Sequence, residues 1–371
     1  MEIDTAKHVA ILEYLERHLR RAAAGLTGGG MEYRPLGRTG MHASVLTLGT
    51  MMFGAWGNRD ADECVAMTHA ALDAGVNVVD TADVYDFGTS EEIVGRALQG
   101  RRDDVILATK FHNPMGDDPN RRGNSRRWIM RAVEDSLRRL RTDRIDLYQV
   151  HRPDPHTDLD ETLGALSDLV HQGKVRAIGT STFPAEMLVE AQWVSERRGR
   201  ERFTTEQPPY SILVRGIEAD VLPVCERHGI GVLVWAPLNG GWLTGKYLDG
   251  APPSSRAERE PDHFDFGGPV HERKLAAVRA LQAVADEAGL PLVDLAHGFV
   301  LSHPAVTSAI IGPRTPEQLR SALRGADVRL GDDVLDAIDR VVPPGVDLNP
   351  ADRQYTPPAL ADARLRRRAG R

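Results

Sequence analysis

Short apolar runs rich in β-branched residues recur along residues 31–330, and segments with helical spacing of apolar residues separate them. The runs have the length of buried strands, and the segments between them have the 3.6-residue period of amphipathic helices. The pattern therefore predicts strands that alternate with helices. Eight predicted strands end near Gly49, Asp80, Thr109, Val150, Thr180, Glu206, Trp235 and Ile311.

The predicted helices fill most of the gaps between these strands. In residues 125–141, for example, Trp128, Ile129, Val133 and Leu137 recur on one helical face. Alternating strands and helices form parallel βαβ units, and eight such units predict a closed barrel, so we expect an α/β fold with a single-domain (β/α)8 TIM barrel. An open doubly wound sheet is the alternative, but it normally carries a G-x-G-x-x-G motif after an early strand, and this chain has none. The other predicted helices lie at 61–74, 90–99, 159–172, 184–197, 216–228, 293–302 and 315–325.

Three segments lie outside the regular alternation. Residues 1–30 are expected to form an N-terminal extension, a helix followed by a Gly-rich linker. Residues 33–45 predict a β-hairpin around Gly40 that caps the barrel floor, within a barrel domain that spans 31–330. Residues 331–371 are expected to form a C-terminal tail.

A long gap separates the last two predicted strands. Residues 238–292 contain a Gly- and Pro-rich stretch and then a helical pattern over 271–288. Long insertions of this kind on barrels usually form binding loops. We therefore expect the segment to contribute to a ligand site.

Composition excludes several classes of protein. The chain has 371 residues with 46 basic and 53 acidic side chains, whereas nucleic-acid binders usually carry a basic surface. No apolar run reaches the roughly 18 residues of a membrane helix. The two cysteines, Cys64 and Cys225, are too few for a disulfide framework or a four-cysteine zinc site. We expect a cytoplasmic protein without a metal site that acts on a small molecule.

One motif is misleading. Residues 240–246 read GGWLTGK and are similar to a P-loop. Tyr247, however, occupies the position where Ser or Thr must bind magnesium, and Pro252 follows where a helix should begin. The sequence therefore does not predict a nucleotide triphosphatase.

Four ionisable residues follow predicted strands at the end of the barrel where active sites form. Asp80, Lys110 and His151 end the second, third and fourth strands, and Tyr85 lies in the loop after Asp80. Each of Asp80, Tyr85 and His151 alone is more often structural. A lysine that directly follows an apolar strand, however, needs an anionic partner, which Asp80 on the neighbouring strand can supply.

Together these residues are suited to proton transfer. A phenol has a pKa of roughly 10, and a nearby ammonium such as that of Lys110 is expected to lower it. Asp80 would hold Lys110, and His151 would bind the substrate oxygen. The site would then protonate a carbonyl oxygen while hydride from a nicotinamide attacks the carbon.

Several motifs resemble those of the aldo-keto reductase family. The stretches 31–51, 76–98, 108–111 (ATKF), 143–154 (DRIDLYQVHRPD), 173–182 and 206–211 are similar to family segments. The resemblance covers about residues 31–330. It implies that Asp80, Tyr85, Lys110 and His151 are the catalytic residues.

The resemblance also implies NADPH bound across the barrel mouth. Ser181 and Gln207 would bind the carboxamide of the nicotinamide, on which Trp235 would stack. Thr182 replaces the usual Asn. The other implied cofactor residues are Gly49, Thr50, Met51, Asp80, Ala236, Pro237, Leu238, Gly241, Leu243, Gly245 and Lys246.

The adenosine end of NADPH is implied to lie at residues 310–322 (IIGPRTPEQLRSA). Ile311, Gly312, Arg314 and Gln318 would bind it, with the Arg314 guanidinium on the 2′-phosphate. Ala322 replaces the usual Asn of the family motif.

The expected activity is NADPH-dependent reduction of an aldehyde or ketone, with Tyr85 as general acid. Trp56, Phe111 and His112 are expected to shape the substrate pocket. Two alternatives stay open: an NAD-dependent alcohol or sugar dehydrogenase, and a regulatory cofactor-binding subunit like the potassium-channel β-subunits.

Overall fold

A computed structural model describes residues 30–253, 255–259, 264 and 268–368. The predicted N-terminal helix lies outside the described residues. The described strands form a two-stranded hairpin and a closed barrel. This agrees with the predicted (β/α)8 architecture.

Eight parallel strands close the barrel, each paired with its neighbours in chain order, and the last strand pairs with the first. All end within a few residues of the predicted positions. Their bounds are β3 Leu46–Gly49, β4 Val78–Asp80, β5 Ile106–Phe111, β6 Ile145–Val150, β7 Val175–Ser181, β8 Phe203–Gln207, β9 Gly231–Val234 and β10 Val306–Ile311.

Alternation along each strand divides the core in two, because successive side chains of a strand point to opposite faces. In β5, Ala108 belongs to the small apolar cluster inside the barrel. Leu107 and Phe111 belong instead to the large cluster between the strands and the helices. Lys110 shares the parity of Ala108, so its side chain enters the barrel.

Helices surround the barrel and follow the strands. In Arg126–Leu140 the Ser125 hydroxyl accepts the Trp128 N–H at the N-terminus, and Arg141 ends the helix in a left-handed conformation. The other helices are Ala61–Asp73, Thr89–Ala97, Leu159–His171, Ala185–Arg198, Val221–His228, Arg256–Arg259, Pro269–Glu287, Leu292–Ser302, Pro316–Leu323, Asp332–Val341 and Pro358–Ala361.

The predicted hairpin is present as β1 (Tyr33–Pro35) and β2 (His42–Ser44). Its turn contacts the barrel floor at Gly37, which has a φ of 56°. A Cβ at Gly37 would lie 2.5 Å from the Thr204 carbonyl oxygen, next to the N-terminal ends of β8 and β9. The hairpin therefore caps the floor and leaves the opposite end open.

The segment after residue 330 differs from the expected tail. Asp332–Val341 is a helix, and Ile338 and Val342 are fully buried in the core. The apolar residues Val334, Leu335, Ile338 and Val342 have helical spacing, which explains why this segment packs on the barrel. Beyond it, the short helix Pro350–Arg353 reaches the open end of the barrel.

The insertion between β9 and β10 also lies at the open end. It contains a tight helical turn over Asn239–Thr244 and the helix Pro269–Glu287, close to the predicted 271–288. Within the described part of the chain, no helix is both long and apolar enough to cross a membrane.

Candidate active site

A cavity of about 730 Å³ opens at the C-terminal ends of the barrel strands. This volume lies within the range of roughly 300–1,000 Å³ that is common for small-molecule sites. The strand ends form its base, and the insertion and the C-terminal segment form much of its wall. Active sites of TIM barrels lie at this end of the fold.

A buried ion pair forms the base of the cavity. The Nζ of Lys110 lies 2.5 Å from Oδ2 of Asp80 and also donates to the Thr81 carbonyl oxygen at 2.8 Å. Lys110 is fully buried, and Asp80 is only 3% exposed. Burial tends to lower the pKa of Lys110, but its interactions with the Asp80 carboxylate and the Tyr85 hydroxyl outweigh burial and raise that pKa. The lysine is therefore an ammonium.

Two amides hold the other oxygen of Asp80. Oδ1 accepts from Nε2 of Gln149 at 3.1 Å and from Nε2 of Gln207 at 2.9 Å. All three side chains are buried inside the barrel. The sequence analysis did not identify Gln149, although it lies two residues before His151 and its parity on β6 matches that of Leu147, which points into the barrel.

Tyr85 joins this pair from the loop after β4. Its hydroxyl lies 3.3 Å from Nζ of Lys110. Desolvation in the cavity raises the pKa of Tyr85, and the charge of Lys110 offsets this only in part. The expected net lowering of this pKa is therefore wrong, because burial outweighs the ammonium. Tyr85 keeps its proton at neutral pH.

His151 lies against Tyr85, with ring centroids 5.9 Å apart. Its Nδ1 lies 3.1 Å from Nδ2 of Asn113. The Asn113 amide nitrogen can only donate, so Nδ1 accepts and the ring proton is on Nε2. Burial, followed by the charges of Lys110 and Arg152, lowers the pKa of His151 well below 6.5. The imidazole is neutral, with Nε2–H as its donor.

Ser181, Gln207 and Trp235, the residues expected at the nicotinamide, all line the cavity beside Asp80. Thr182 does not line it. The hydroxyl of Thr182 instead accepts from the guanidinium of Arg152 at 3.0 Å.

Arg152 is a cavity residue that the sequence analysis missed. It also donates to the His151 carbonyl oxygen at 2.8 Å and to Oε1 of Gln354 at 2.9 Å. Its guanidinium lies 6.0 Å from the Trp235 ring centroid. The side chain therefore links the strand ends to the C-terminal segment.

The remaining predicted cofactor residues also line the cavity, with two exceptions. The side chain of Leu243 is fully buried in the core, and Gly245 faces Gln282 and Leu248. Both alternate with cavity residues within one tight turn. Sequence similarity could not determine which residues of that turn face inward.

Cationic groups lie at two places along the wall. Gly241, with a φ of 98°, leaves room for Lys246, whose Nζ would be 2.7 Å from a Cβ at that position. Arg314 lies at the start of the helix Pro316–Leu323, where its N–H donates to Oε1 of Gln318 at 2.8 Å. These cations could bind an anionic ligand at two separate points.

The predicted substrate residues differ in their placement. Trp56 packs edge-on against Tyr85, with ring centroids 6.3 Å apart, and is 38% exposed, but it does not line the cavity. Phe111 lies in the core between sheet and helices, because it follows Lys110 and so points out of the barrel. His112 does not line the cavity and contacts Oδ1 of Asn124 at 2.8 Å.

The C-terminal segment is joined to the insertion by a buried ion pair. Nζ of Lys274 lies 2.6 Å from Oδ2 of Asp352 and 2.9 Å from Oδ1 of Asn239. All three residues line the cavity. Lys274 is one of only five lysines in the chain, and this scarcity is the one sequence signal that could have identified it.

No cluster of three or more His, Cys, Asp or Glu side chains suited to a metal occurs among residues 30–253, 255–259, 264 and 268–368. The chemistry that the cavity itself offers is hydrogen bonding and proton transfer. The acidic proton of Tyr85, the ammonium of Lys110 and the Nε2–H of His151 lie together at its base.

Comparison with known proteins identifies the family to which the chain belongs. A sequence model of the aldo/keto reductase family matches residues 45–343. A Bacillus subtilis protein named uncharacterized oxidoreductase YrpG is 39% identical over 84% of this chain and 96% of its own length. Aldo-keto reductase YhdN of the same organism is 38% identical over 78% of this chain and 87% of its own. A probable voltage-gated potassium channel subunit beta of Arabidopsis thaliana is 36% identical over 84% and 97%. The chain therefore belongs to the aldo/keto reductase family and is an oxidoreductase by that membership.

Proposed function

We propose that the protein reduces an aldehyde or ketone to an alcohol with NADPH, and that Tyr85 supplies the proton. The observation that carries this proposal is the contact series from Asp80 through Lys110 to Tyr85 at the base of the cavity. An acid next to a buried ammonium is what protonation of a carbonyl oxygen requires. Family membership supports the same reaction class.

The residues that line the cavity support binding of an extended dinucleotide phosphate. Trp235 offers an aromatic face near the acid, and Arg314 lies on the wall of the same cavity. Lys246 and the glycines Gly240 and Gly241, both with positive φ, line the wall as well. Phosphates are commonly bound by cationic side chains and by backbone N–H groups. When bound, NADPH supplies the hydride.

Tyr85 acts as a general acid that stays protonated until the carbonyl oxygen of the substrate becomes basic. Because burial raises its pKa, the hydroxyl is protonated when the substrate binds. The carbonyl oxygen becomes basic as it gains negative charge, and it then takes the proton. The Lys110 ammonium, 3.3 Å from the hydroxyl, stabilises the phenolate that is left.

Asp80 and His151 position these groups. Asp80 fixes Lys110, and the amides of Gln149 and Gln207 keep that carboxylate in place. His151 is neutral, and its Nε2–H donates to the carbonyl oxygen and orients it towards Tyr85. Truncation of Asp80 should therefore disturb both charge and orientation, whereas truncation of the neutral His151 should disturb orientation alone.

A regulatory role is the second candidate, since one relative is named a potassium channel subunit beta. A dehydrogenase running the reverse reaction with NAD is the third. The complete contact series at the base of the cavity favours chemistry over binding alone. The reverse reaction would use the same groups.

The test is turnover of a panel of aldehydes and ketones by the full chain with NADPH, followed by loss of reduced-nicotinamide absorbance. Consumption of NADPH that depends on the carbonyl compound supports the proposal. Tight NADPH binding without turnover of any compound favours the regulatory role. Faster alcohol oxidation with NAD favours the dehydrogenase. Absence of NADPH binding contradicts the proposal.

A further inference from the structure

One polar side chain in the cavity wall has no partner among the described residues. His297, on the helix Leu292–Ser302, is fully buried and lines the cavity. Neither Nδ1 nor Nε2 makes a hydrogen bond. A buried polar group without a partner costs about 1–3 kcal/mol, so an apolar side chain would serve the fold better at this position.

The residues around His297 show which part of the cavity wall it belongs to. Val293, one turn earlier on the same helix, lines the cavity too, as do Gln318, Ser321 and Ala322 of the facing helix Pro316–Leu323. This helix follows directly after Arg314. His297 therefore lies on the side of the cavity that carries the Arg314 cation.

Two acceptor atoms of the facing helix already have partners. Oε1 of Gln318 accepts the Arg314 N–H, and the Ser321 hydroxyl accepts from Arg324 at 3.3 Å. Ala322 contributes only a methyl group. His297 is thus a polar side chain of this wall in which neither ring nitrogen makes a hydrogen bond.

The imidazole is held in place and uncharged. A Cβ at Gly325 would lie 2.7 Å from Cβ and 2.8 Å from Nδ1 of His297, so only a glycine fits against the ring. Burial lowers the pKa of His297 to about 4. A neutral imidazole offers one donor and one acceptor, which suits a neutral heteroaromatic base, and it carries no positive charge that would favour a phosphate.

We infer that His297 hydrogen-bonds the adenine base of the dinucleotide and is the polar anchor of that end of the cavity. This inference rests on the proposed function, in which NADPH lies along the cavity with its 2′-phosphate at Arg314. His297 is a binding residue for the base, whereas Arg314 distinguishes the phosphate. The two roles predict different patterns of affinity.

The test is equilibrium binding by calorimetry to the wild type and to His297→Leu and His297→Gln, without turnover. His297→Leu should weaken NADPH, NADH and 2′-phospho-ADP-ribose each about tenfold, the value of one neutral hydrogen bond of about 1.4 kcal/mol. The ratio of NADPH to NADH affinity should not change. His297→Gln, which keeps a donor and an acceptor, should recover most of the loss.

Reduced nicotinamide mononucleotide, which has no adenosine, serves as the ligand control and should bind wild type and His297→Leu equally. Melting temperatures without ligand check folding, and His297→Met replaces the leucine variant if that variant does not fold. Equal binding of NADPH by wild type and the apolar variant overturns the inference alone. Equally weak binding by the Leu and Gln variants also overturns it, because shape would then explain the loss. A wild type that binds neither NADPH nor 2′-phospho-ADP-ribose overturns both the inference and the proposed function.

Discussion

The ammonium of Lys110 lies 3.3 Å from the hydroxyl of Tyr85, and at the base of the cavity Lys110 is fully buried whereas Tyr85 is half-buried. Desolvation favours the neutral phenol, whereas the ammonium favours the phenolate. The resting balance is on the side of the phenol. Loss of the Tyr85 proton is therefore coupled to the arrival of a basic oxygen, which only the reacting substrate provides.

Replacing Lys110 should damage both stability and activity. Lys110→Met leaves Asp80 as an unpaired buried charge, and breaking a buried pair in this way costs about 3–5 kcal/mol. The phenolate of Tyr85 would also lose its counter-charge, so kcat should fall. Chemical denaturation and steady-state kinetics measure the two effects.

The matched control is the double variant Asp80→Asn/Lys110→Met, in which no lone charge remains. It should recover part of the stability that Lys110→Met loses, but none of the activity. If the double variant is no more stable than Lys110→Met, the two residues do not act as an isolated ion pair.

Arg314 should determine the preference for the phosphorylated cofactor. Arg314→Ala should weaken NADPH binding by about 1.5–3 kcal/mol, the range for a charged hydrogen bond, and leave NADH nearly unchanged. Arg320→Ala is the control, since this arginine lies on the helix that follows but pairs with Glu317 outside the cavity. Equal losses for NADPH and NADH would rule out the role of Arg314.

Acid should destabilise the protein partly through His297. Burial lowers its pKa from 6.5 to about 4, so at pH values between these two the unfolded chain binds a proton that the folded chain excludes. This contribution to stability is complete above about pH 6.5 and is lost as the pH falls towards 4, up to about 3 kcal/mol at about 1.4 kcal/mol per pKa unit.

His297→Leu removes this titration, so the variant should gain stability relative to the wild type as the pH falls. Urea denaturation of both proteins between pH 7 and about pH 4 measures the difference. A constant difference across that range would mean that His297 takes up its proton at the same pH in the folded and the unfolded chain, and so would contradict the lowered pKa.

Residues 1–30 should be dispensable for fold and chemistry, because the family match begins at residue 45 and the described hairpin begins at Tyr33. A chain that starts at Met31 should keep the melting temperature and kcat/KM of the full chain. Loss of several degrees in melting temperature would assign the extension to the folded core, and a change in assembly size alone would assign it to oligomerisation.

The fold could be predicted because its signals are local. Each strand is a short apolar run, and each helix has its own period, so the ends of β4 at Asp80 and of β10 at Ile311 are visible in the sequence. The helix Asp332–Val341 has the same kind of pattern, but it follows the eighth barrel unit and no strand follows it, so the alternation of strands and helices does not predict it. Its burial comes from packing on the barrel helices.

The site was harder to predict where it depends on side-chain direction or distant contacts. Phe111 was wrongly placed in the pocket although strand alternation from Lys110 points it outward. Asp352 pairs with Lys274 although it lies 78 residues later in the chain, and no local sequence pattern predicts that contact. The pKa of Tyr85 is raised and not lowered because desolvation in the cavity outweighs the charge of Lys110. The extent of that desolvation depends on the folded structure and is not visible in the sequence.

The most direct test of the account is the comparison of Tyr85→Phe with the wild type in turnover and in NADPH binding. The substitution keeps the ring and removes only the hydroxyl, and Tyr33→Phe in the floor hairpin is the matched control. Tyr85→Phe should lower kcat for an active aldehyde by at least about 10²-fold, the usual contribution of a general acid, while its affinity for NADPH stays that of the wild type. A kcat close to the wild-type value would contradict the assignment of Tyr85 as the proton donor.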